Sequence, residues 1–561
     1  MKIDGKWKKP VIIVLSIALI ANGITSLFLI TPGPQSGPLP LPLHYRTLVV
    51  GTLEGPSELD PINSFDKYSE DVITQVCEGL YQHNLSDPDL EIIPILAADY
   101  GTWNAEANQL TIPLRQGVYF QDGTKFNASS VQWTFERINY FINASGMPLI
   151  LNETISKTHS LYEFPNGTTI FDPINPVTLN SEYSVTINLR GSYAILESLL
   201  CHVSAFILSS ISTPKYEYIH PVYGRLVGTG PFILDNYVVD EEVKLRRWDN
   251  YWRWSAFFKE VTFTVFNDAI TRNNAMLDHT IDYLIGSWSS LFPTFDFDPT
   301  ITHISGIKGL SYHFLDLNNY AINKTWRQAI SYGINYTYLI NELQAGTVYR
   351  SNGPLALNFP GFDPNIQAAT YNLTKAREIV VSMGFGNMSW SEAQWFAAEF
   401  KILNYSFNVA SDFREDLLIL LQDNLYLLGI TVKDSETSWV WPWWWSYQPD
   451  WRTQHLAWRE IHPSYLSPYH ILYRLYSNES TENGYKYHNH DVENWLEQVL
   501  QEPNVTAREM LYSNILHQIV EVDMPHAFCY HPYLHYIHSA DIMGVQYNSM
   551  GRLSIYPMYR A

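Results

Sequence analysis

Seven tryptophans, Trp439, Trp441, Trp443, Trp444, Trp445, Trp451 and Trp458, stand in the run SWVWPWWWSYQPDWRTQHLAWRE over residues 438–460. An indole face that removes about 50 to 100 Å² of ligand surface from water contributes roughly 1 to 2.5 kcal/mol. So many indoles beside Pro442 and Pro449 are hard to bury together, and exposed aromatic loops bind things. Sugar rings and apolar peptide side chains both suit this chemistry. Trp439, Trp441, Trp443, Trp444 and Trp458 are therefore candidate ligand contacts. Glu460 is a candidate polar contact beside them, although its neighbour Arg459 fits a plain solvated charge pair equally well. A second cluster, His526, Cys529, His531, His535 and His538, has the donor types of a zinc or nickel site. Pro525 and Pro532 disrupt the helix that would put His531 and His535 on one face, so no metal ligand is assigned. Glu54, Asp60 and Glu460 offer the carboxylates of a glycosidase, but nothing in their spacing pairs them. The chain has no phosphate-binding glycine loop, nucleophile elbow or zinc-protease motif. Neither catalysis nor a cofactor is expected.

The elements that must position such groups are clearest at residues 110–137, LTIPLRQGVYFQDGTKFNASSVQWTFER. Thr111 to Arg115 and Val118 to Phe120 read as strands separated by Gln116-Gly117, and Asp122-Gly123 supplies turn chemistry. Asn127 is a good N-cap, and Val131, Phe135 and Ile138 recur at helical spacing, so a helix packed on a hairpin is expected. Hairpins and β-branched runs alternate with helical patterns along the chain, which points to a mixed α/β class without internal repeats.

The same stretch, written LRxGVxFxDGxxFxAxxVxxxxER, resembles the signature of the extracellular solute-binding proteins of family 5. Other segments agree in order: Leu59-Asp60-Pro61, Glu78-Gly79-Leu80, VGTGPFIL (227–234), KLRRWDNYW (244–252), WRQAISYGINYTYLI (326–340) and YNLTKAREIVVSMGF (371–385). LQDNLYLLGITV (421–432), residues 507–532 and IMGVQYN (542–548) follow, so the resemblance covers about residues 46 to 550. It implies a two-lobed periplasmic-binding-protein-like α/β fold of type II, in the large family-5 variant with an extra subdomain. On that analogy lobe I takes 45–86, 220–308 and 525–561, with an inserted subdomain at 87–219, and lobe II takes 309–524. It also implies that PHAFCYHP is a strand, with His535 and His538 beyond it, and that Glu54, after the first strand, runs close to the cleft. For Glu54 a plain surface carboxylate is the competing reading.

The implied function is the substrate-binding component of an ABC importer, closing its lobes on an oligosaccharide or oligopeptide and passing it to a permease with ATPase subunits. A nickel-type receptor of the same family and a carbohydrate-active enzyme are the alternatives. Peptide binders of the family place an aspartate in a Trp-x-x-Asp pattern to meet the peptide's amino terminus. After Trp458 this chain has Arg459, Glu460, Ile461, His462 and Pro463, so that aspartate is missing and Glu460 is the available substitute. The departure favours a neutral sugar, which needs no charge anchor.

Composition bounds the address. The 561 residues are 46% hydrophobic and 15% aromatic, and a formal charge of −21 is the wrong sign for nucleic acid. Lys2, Lys6, Lys8 and Lys9 precede an uncharged run from Val11 to Ile30, long enough to span a bilayer. The basic flank keeps 1–10 in the cytoplasm, makes 11–30 a transmembrane anchor or signal segment, and sends the body to the extracellular face of the membrane. The Pro-rich 31–44 is a semi-rigid linker. Twelve N-x-S/T sequons, against about four or five expected from composition, suggest glycosylation. The candidates are Asn84, Asn143, Asn152, Asn166, Asn323, Asn335, Asn372, Asn387, Asn404, Asn478 and Asn504; Asn127, the twelfth, is needed as a helix cap. With three cysteines, at most one bridge can form within the chain, so the fold relies on its core. A monomer is expected.

Overall fold

A computed structural model describes residues 46–561 except 65, 144–160, 163–167, 221–224, 287–291, 407–411, 436–450 and 481. The tail, anchor and linker readings of 1–44 lie outside the described residues, as do Asn152, Asn166 and the side chain of Asn143. Among the described residues no helix is long and apolar enough to cross a membrane.

The organising element is one long strand, His526–Ser539. Its first part pairs antiparallel with Tyr312–Leu317 and Val348–Arg350, and its second part with Ile301–Lys308 and Tyr283–Leu284. The strand therefore belongs to two sheets in turn, which join into one sheet of twelve strands, ten along its path and two paired to the long strand beside it. The expected strand is present, but it is longer than PHAFCYHP: it runs through Pro532 and carries His535 and His538 as well. Proline is tolerated there because it sits where the strand changes partners. The neighbouring chain crosses at the same level, with the Gly309 N–H donating to the Pro532 carbonyl at 2.8 Å. A β-carbon at Gly309 would stand 2.9 Å from that oxygen, so the crossing requires glycine.

On one side of the crossing, Thr47–Thr52 runs parallel to Glu260–Val265 and to Tyr283–Leu284, and Glu242–Arg247 and Phe232–Val238 complete the sheet. Helix Lys67–Val76 covers it, burying Val72, Ile73 and Val76 against Leu48, Val50, Val243 and Phe263. On the other side, Ile430–Asp434, Lys401–Ser406, Leu456–Ile461 and Tyr312–Leu317 lie in that order. Helices Lys324–Gly333, Leu373–Ser382 and Asp412–Tyr426 pack on them through Trp326, Ile330, Val380, Leu421 and Leu425. These are the two lobes of the expected fold class.

Segment 87–219 has its own four-stranded sheet, Thr102–Trp103, Gln109–Pro113, Ser184–Asn188 and Val177–Ser181, with helix Ala128–Asn143 against it. The Asn127 side chain accepts from the Ser129 and Ser130 amides at 3.0 and 3.4 Å, so the cap forms as read. The hairpin needs correcting. Gln109–Pro113 pairs with Ser184–Asn188, not with Val118–Phe120. The local turn is instead made by Gly123, with φ +85°, between Phe120 and Thr124. The apolar core of this segment continues without a break into Tyr465, Tyr469, Leu472, Leu496 and Leu500 of the second lobe.

Candidate functional site

Two parallel strands, Thr47–Thr52 and Glu260–Val265, end together, with Thr52 opposite Val265. In open α/β sheets ligands bind beyond the carboxyl ends of such strands. Here those ends open into a small recess of about 10 Å³, roughly the room one water needs. Its wall is largely apolar, with Pro56, Val72, Val243, Phe263, Val265 and Ile285, and its polar groups are Thr52, Glu54, Tyr68 and Asp71. Glu54 is solvent-exposed at the rim. Tyr68 and Asp71 come from the first turns of helix Lys67–Val76, which starts here because Asp66 caps it, accepting from the Ser69 amide at 2.8 Å.

Electrostatics distinguish the three groups. Burial pushes the Tyr68 phenol up, and the charge of Glu54 adds to the effect. Asp71 is held up by burial, against the pull of Lys67, whose Nζ donates to it at 2.7 Å. The Leu553 amide donates to its other oxygen at 3.0 Å, which leaves Glu54 as the carboxylate facing solvent. Behind the wall, Arg272 is fully buried and donates to the Ile285 carbonyl at 2.8 Å. Burial lowers its guanidinium to about 10. An apolar pocket with one free carboxylate at its mouth suits a solute that presents an apolar group beside a hydrogen-bond donor or cation.

The residues singled out by sequence fall in different places. Glu54 lines the recess. Trp439, Trp441, Trp443, Trp444 and Trp445 lie outside the described residues. Trp458 needs correcting as a ligand platform: it is 4% exposed and packs against Phe413 and Tyr530, with ring centroids 5.3 and 5.4 Å away. The alternation of strand Leu456–Ile461 turns it into the core of the second lobe. Glu460, two residues on and so on the same face, lies nearer the strand's end, where it is half-exposed with its Oε2 3.4 Å from His313 Nδ1. Glu54 and Glu460 thus stand on different lobes. Ile461, where the family's aspartate would stand, is buried.

The clustered histidines find separate partners. His526 lies between Asp316, at 3.5 Å, and the Tyr476 hydroxyl, at 3.1 Å. His531 meets the Ser311 carbonyl at 2.8 Å, His535 meets His303 at 3.0 Å, and His538 meets the Tyr547 hydroxyl at 2.8 Å. Among the described residues no three His, Cys, Asp or Glu side chains converge on one point.

The signature residues also have structural work. Arg137 donates both guanidinium nitrogens to Asp60, and both side chains are buried. Glu78, also buried, accepts from Tyr251, Trp252 and Thr229 at 2.7, 2.8 and 2.8 Å. Arg327 donates to the carbonyls of Ile322, Asp523 and Met524. Sequence reasoning missed Tyr68 and Asp71. Their one local signal is Lys67 and Asp71 at helical i,i+4 spacing, which marks a helix face but not what it faces.

A family model described as bacterial extracellular solute-binding proteins, family 5 middle, matches residues 91–483. The glutathione-binding protein GsiB of Salmonella typhi is 25% identical over 381 residues, 65% of this chain and 67% of that protein. GsiB of Escherichia coli K12 is 25% identical over 360 residues, 62% of this chain and 64% of that protein. Among solved structures, the periplasmic binding protein DppA of Helicobacter pylori in complex with the peptide STSA superposes with a TM-score of 0.73 at 22% identity, covering 92% of this chain and 98% of that one. NikA of Brucella suis in complex with Fe(III)-EDTA gives 0.76 at 17% identity, covering 92% and 100%. The structural likenesses establish the fold, and the sequence match, which spans well over half of the chain, goes further: the chain belongs to family 5 of the extracellular solute-binding proteins.

Proposed function

We propose that this protein captures a small peptide-like solute outside the cell, between its two lobes, and hands it to an ABC permease with its ATPases. The observation that carries the peptide-like reading is on the first lobe's side of such a site: the exposed carboxylate of Glu54 at the mouth of a small apolar recess beyond the parallel strand ends. A solute N–H or ammonium group satisfies that carboxylate, with an apolar group lying over the mouth of the recess. The relatives named for glutathione and peptide complexes support the same class. Binding without turnover is part of the proposal, in keeping with a family of solute-binding proteins.

The test is thermal melting against di- and tripeptides, glutathione, neutral oligosaccharides and nickel–histidine, with chromatography for product. A peptide-class solute should raise the midpoint and come back unchanged, because a ligand that binds only the folded state stabilises it by mass action. Stabilisation by oligosaccharide alone would overturn the peptide reading. That second reading has one observation in its favour: Ile461 in place of an aspartate leaves the second lobe without the expected charge anchor.

The tether and the glycans belong to the same proposal. The uncharged run 11–30 behind a basic flank supports a membrane-anchored body facing outward. Asn387 and Asn478 are exposed and so open to modification, whereas the exposed Asn323, Asn372 and Asn504 are engaged as helix caps. Intact mass before and after enzymatic deglycosylation reads this directly; identical masses would remove glycosylation from the proposal.

A further inference from the structure

Glu70 follows Tyr68 and precedes Asp71 on helix Lys67–Val76, but its carboxylate serves a different partner. Its Oε2 accepts from Arg552 Nη2 at 3.0 Å, and His202 Nε2 stands 3.4 Å from its Oε1. Burial pushes this carboxyl up, yet Arg552 and then His202 outweigh burial and hold it below the usual carboxylate range. Arg552 is fixed to the first lobe by its neighbours. The Leu553 amide donates to Asp71, Gln75 donates to the Leu553 carbonyl at 3.0 Å, and the Ile555 amide donates back to Gln75 at 3.1 Å.

The same Arg552 Nη2 also donates to the Ser464 carbonyl at 2.8 Å. Ser464 belongs to the second lobe, in the turn between strand Leu456–Ile461 and helix Pro468–Tyr476. The next residue, Tyr465, lies edge-on to His202, with centroids 6.3 Å apart. One guanidinium nitrogen is therefore shared between a carboxylate of one lobe and a main-chain oxygen of the other. The anchoring bond within the first lobe survives any movement between lobes. The bond to Ser464, like the apolar packing of Tyr465 against segment 87–219, exists only while they are together.

We propose that Arg552 is a closure-holding residue, positioned by Glu70 so that its donation to the Ser464 carbonyl stabilises the shut form before solute arrives. This rests on the reading of the protein as a lobe-closing receptor. Because the acceptor is main chain, the device reports where the second lobe's backbone lies and is indifferent to the side chain at 464. A hydrogen bond from a charged donor is among the stronger single contacts a boundary can carry, so its loss shifts the ratio of shut to open molecules.

The experiment measures the distance between lobes on the full chain without solute, by pulsed electron resonance between spin labels at Ile270→Cys and Val505→Cys. Those positions are 69% and 59% exposed, whereas the native Cys77, Cys201 and Cys529 are buried. Arg552→Gln should lower the shut-to-open ratio about tenfold, equivalent to about 1.4 kcal/mol. Glu70→Gln should lower it less, Arg552→Lys should restore part of it, and Ser464→Ala should leave it unchanged. Urea unfolding of the same variants isolates a merely structural role. Distance distributions of Arg552→Gln that superimpose on those of the parent, whatever its stability, would overturn the proposal, as would equal opening by Ser464→Ala. Since no solute is present, failure here is separate from failure of the recess, which the solute affinity of Glu54→Gln reads.

Discussion

Asp60 and Glu54 are carboxylates six positions apart on the same lobe, and they do opposite jobs. Asp60 is wholly buried, holds both arms of Arg137 and accepts from the Ile62 and Ile219 amides at 3.1 and 2.8 Å. Glu54 stands in solvent at the mouth of an apolar recess. The first closes the fold on itself and the second leaves a bond to be made. Residue type does not tell the two apart; what each meets in space does.

The comparison breaks most sharply by removing a buried partner. Arg137→Ala leaves Asp60 buried and unpaired and should cost about 3 to 5 kcal/mol, read as a fall in the urea midpoint. A loss within 1 kcal/mol would mean that water replaces the guanidinium. Glu78→Gln, which keeps the shape but weakens the acceptor for Tyr251, Trp252 and Thr229, should cost about 2 kcal/mol by the same measurement. Glu54→Gln should behave in the reverse way. Its stability should stay within about 0.5 kcal/mol of the parent while solute affinity falls about tenfold by calorimetry. An unchanged affinity would take Glu54 out of the site.

Acidity probes the buried side of the comparison. Burial lowers His83 and His531 to about 4, so the folded protein binds fewer protons than the unfolded chain between pH 6.5 and pH 4. Their contribution is present above the ordinary histidine range and is lost as pH falls through that window. Urea midpoints should therefore drop from pH 7 to pH 5, by on the order of 1 kcal/mol per imidazole. His83→Gln should flatten the drop, and a flat profile in the parent would contradict it. The smallest effect is expected at helix starts. Asn372→Ala removes the acceptor of the Lys375 amide, a bond of 2.9 Å, and should cost about 1 kcal/mol.

Local order was legible in the sequence wherever a few neighbouring residues decide it. Asn127, Asn323, Asn372 and Asn504 all cap helices, and each is also the first residue of an N-x-S/T triplet. Capping therefore accounts for part of the sequon excess on its own terms, since an asparagine cap followed by Ser or Thr in the first turn writes the same triplet. Long-range pairing was not legible. Gln109–Pro113 meets a strand more than seventy positions further on, and periodicity carries no information about which strand that is. The site was half legible for the same reason: Glu54 follows a recognisable strand, whereas Asp71 acquires its setting from Lys67 and from Leu553 at the far end of the chain. Trp458 shows the converse error. An aromatic run suggested a platform, but strand alternation turned this indole inward.

The crossing at Gly309 and Pro532 has a consequence for ancestry. The second lobe leaves and re-enters the first at two points bonded to each other, and Arg560, at the carboxyl end, donates to the Thr47 carbonyl of the opening strand at 3.4 Å. The second lobe thus begins and ends beside itself. Exchange of such a lobe would cut the chain at only two adjacent peptides, but the apolar core it shares with segment 87–219 would have to be matched as well. New cargo preferences could then arise by transplanting one half onto a retained partner.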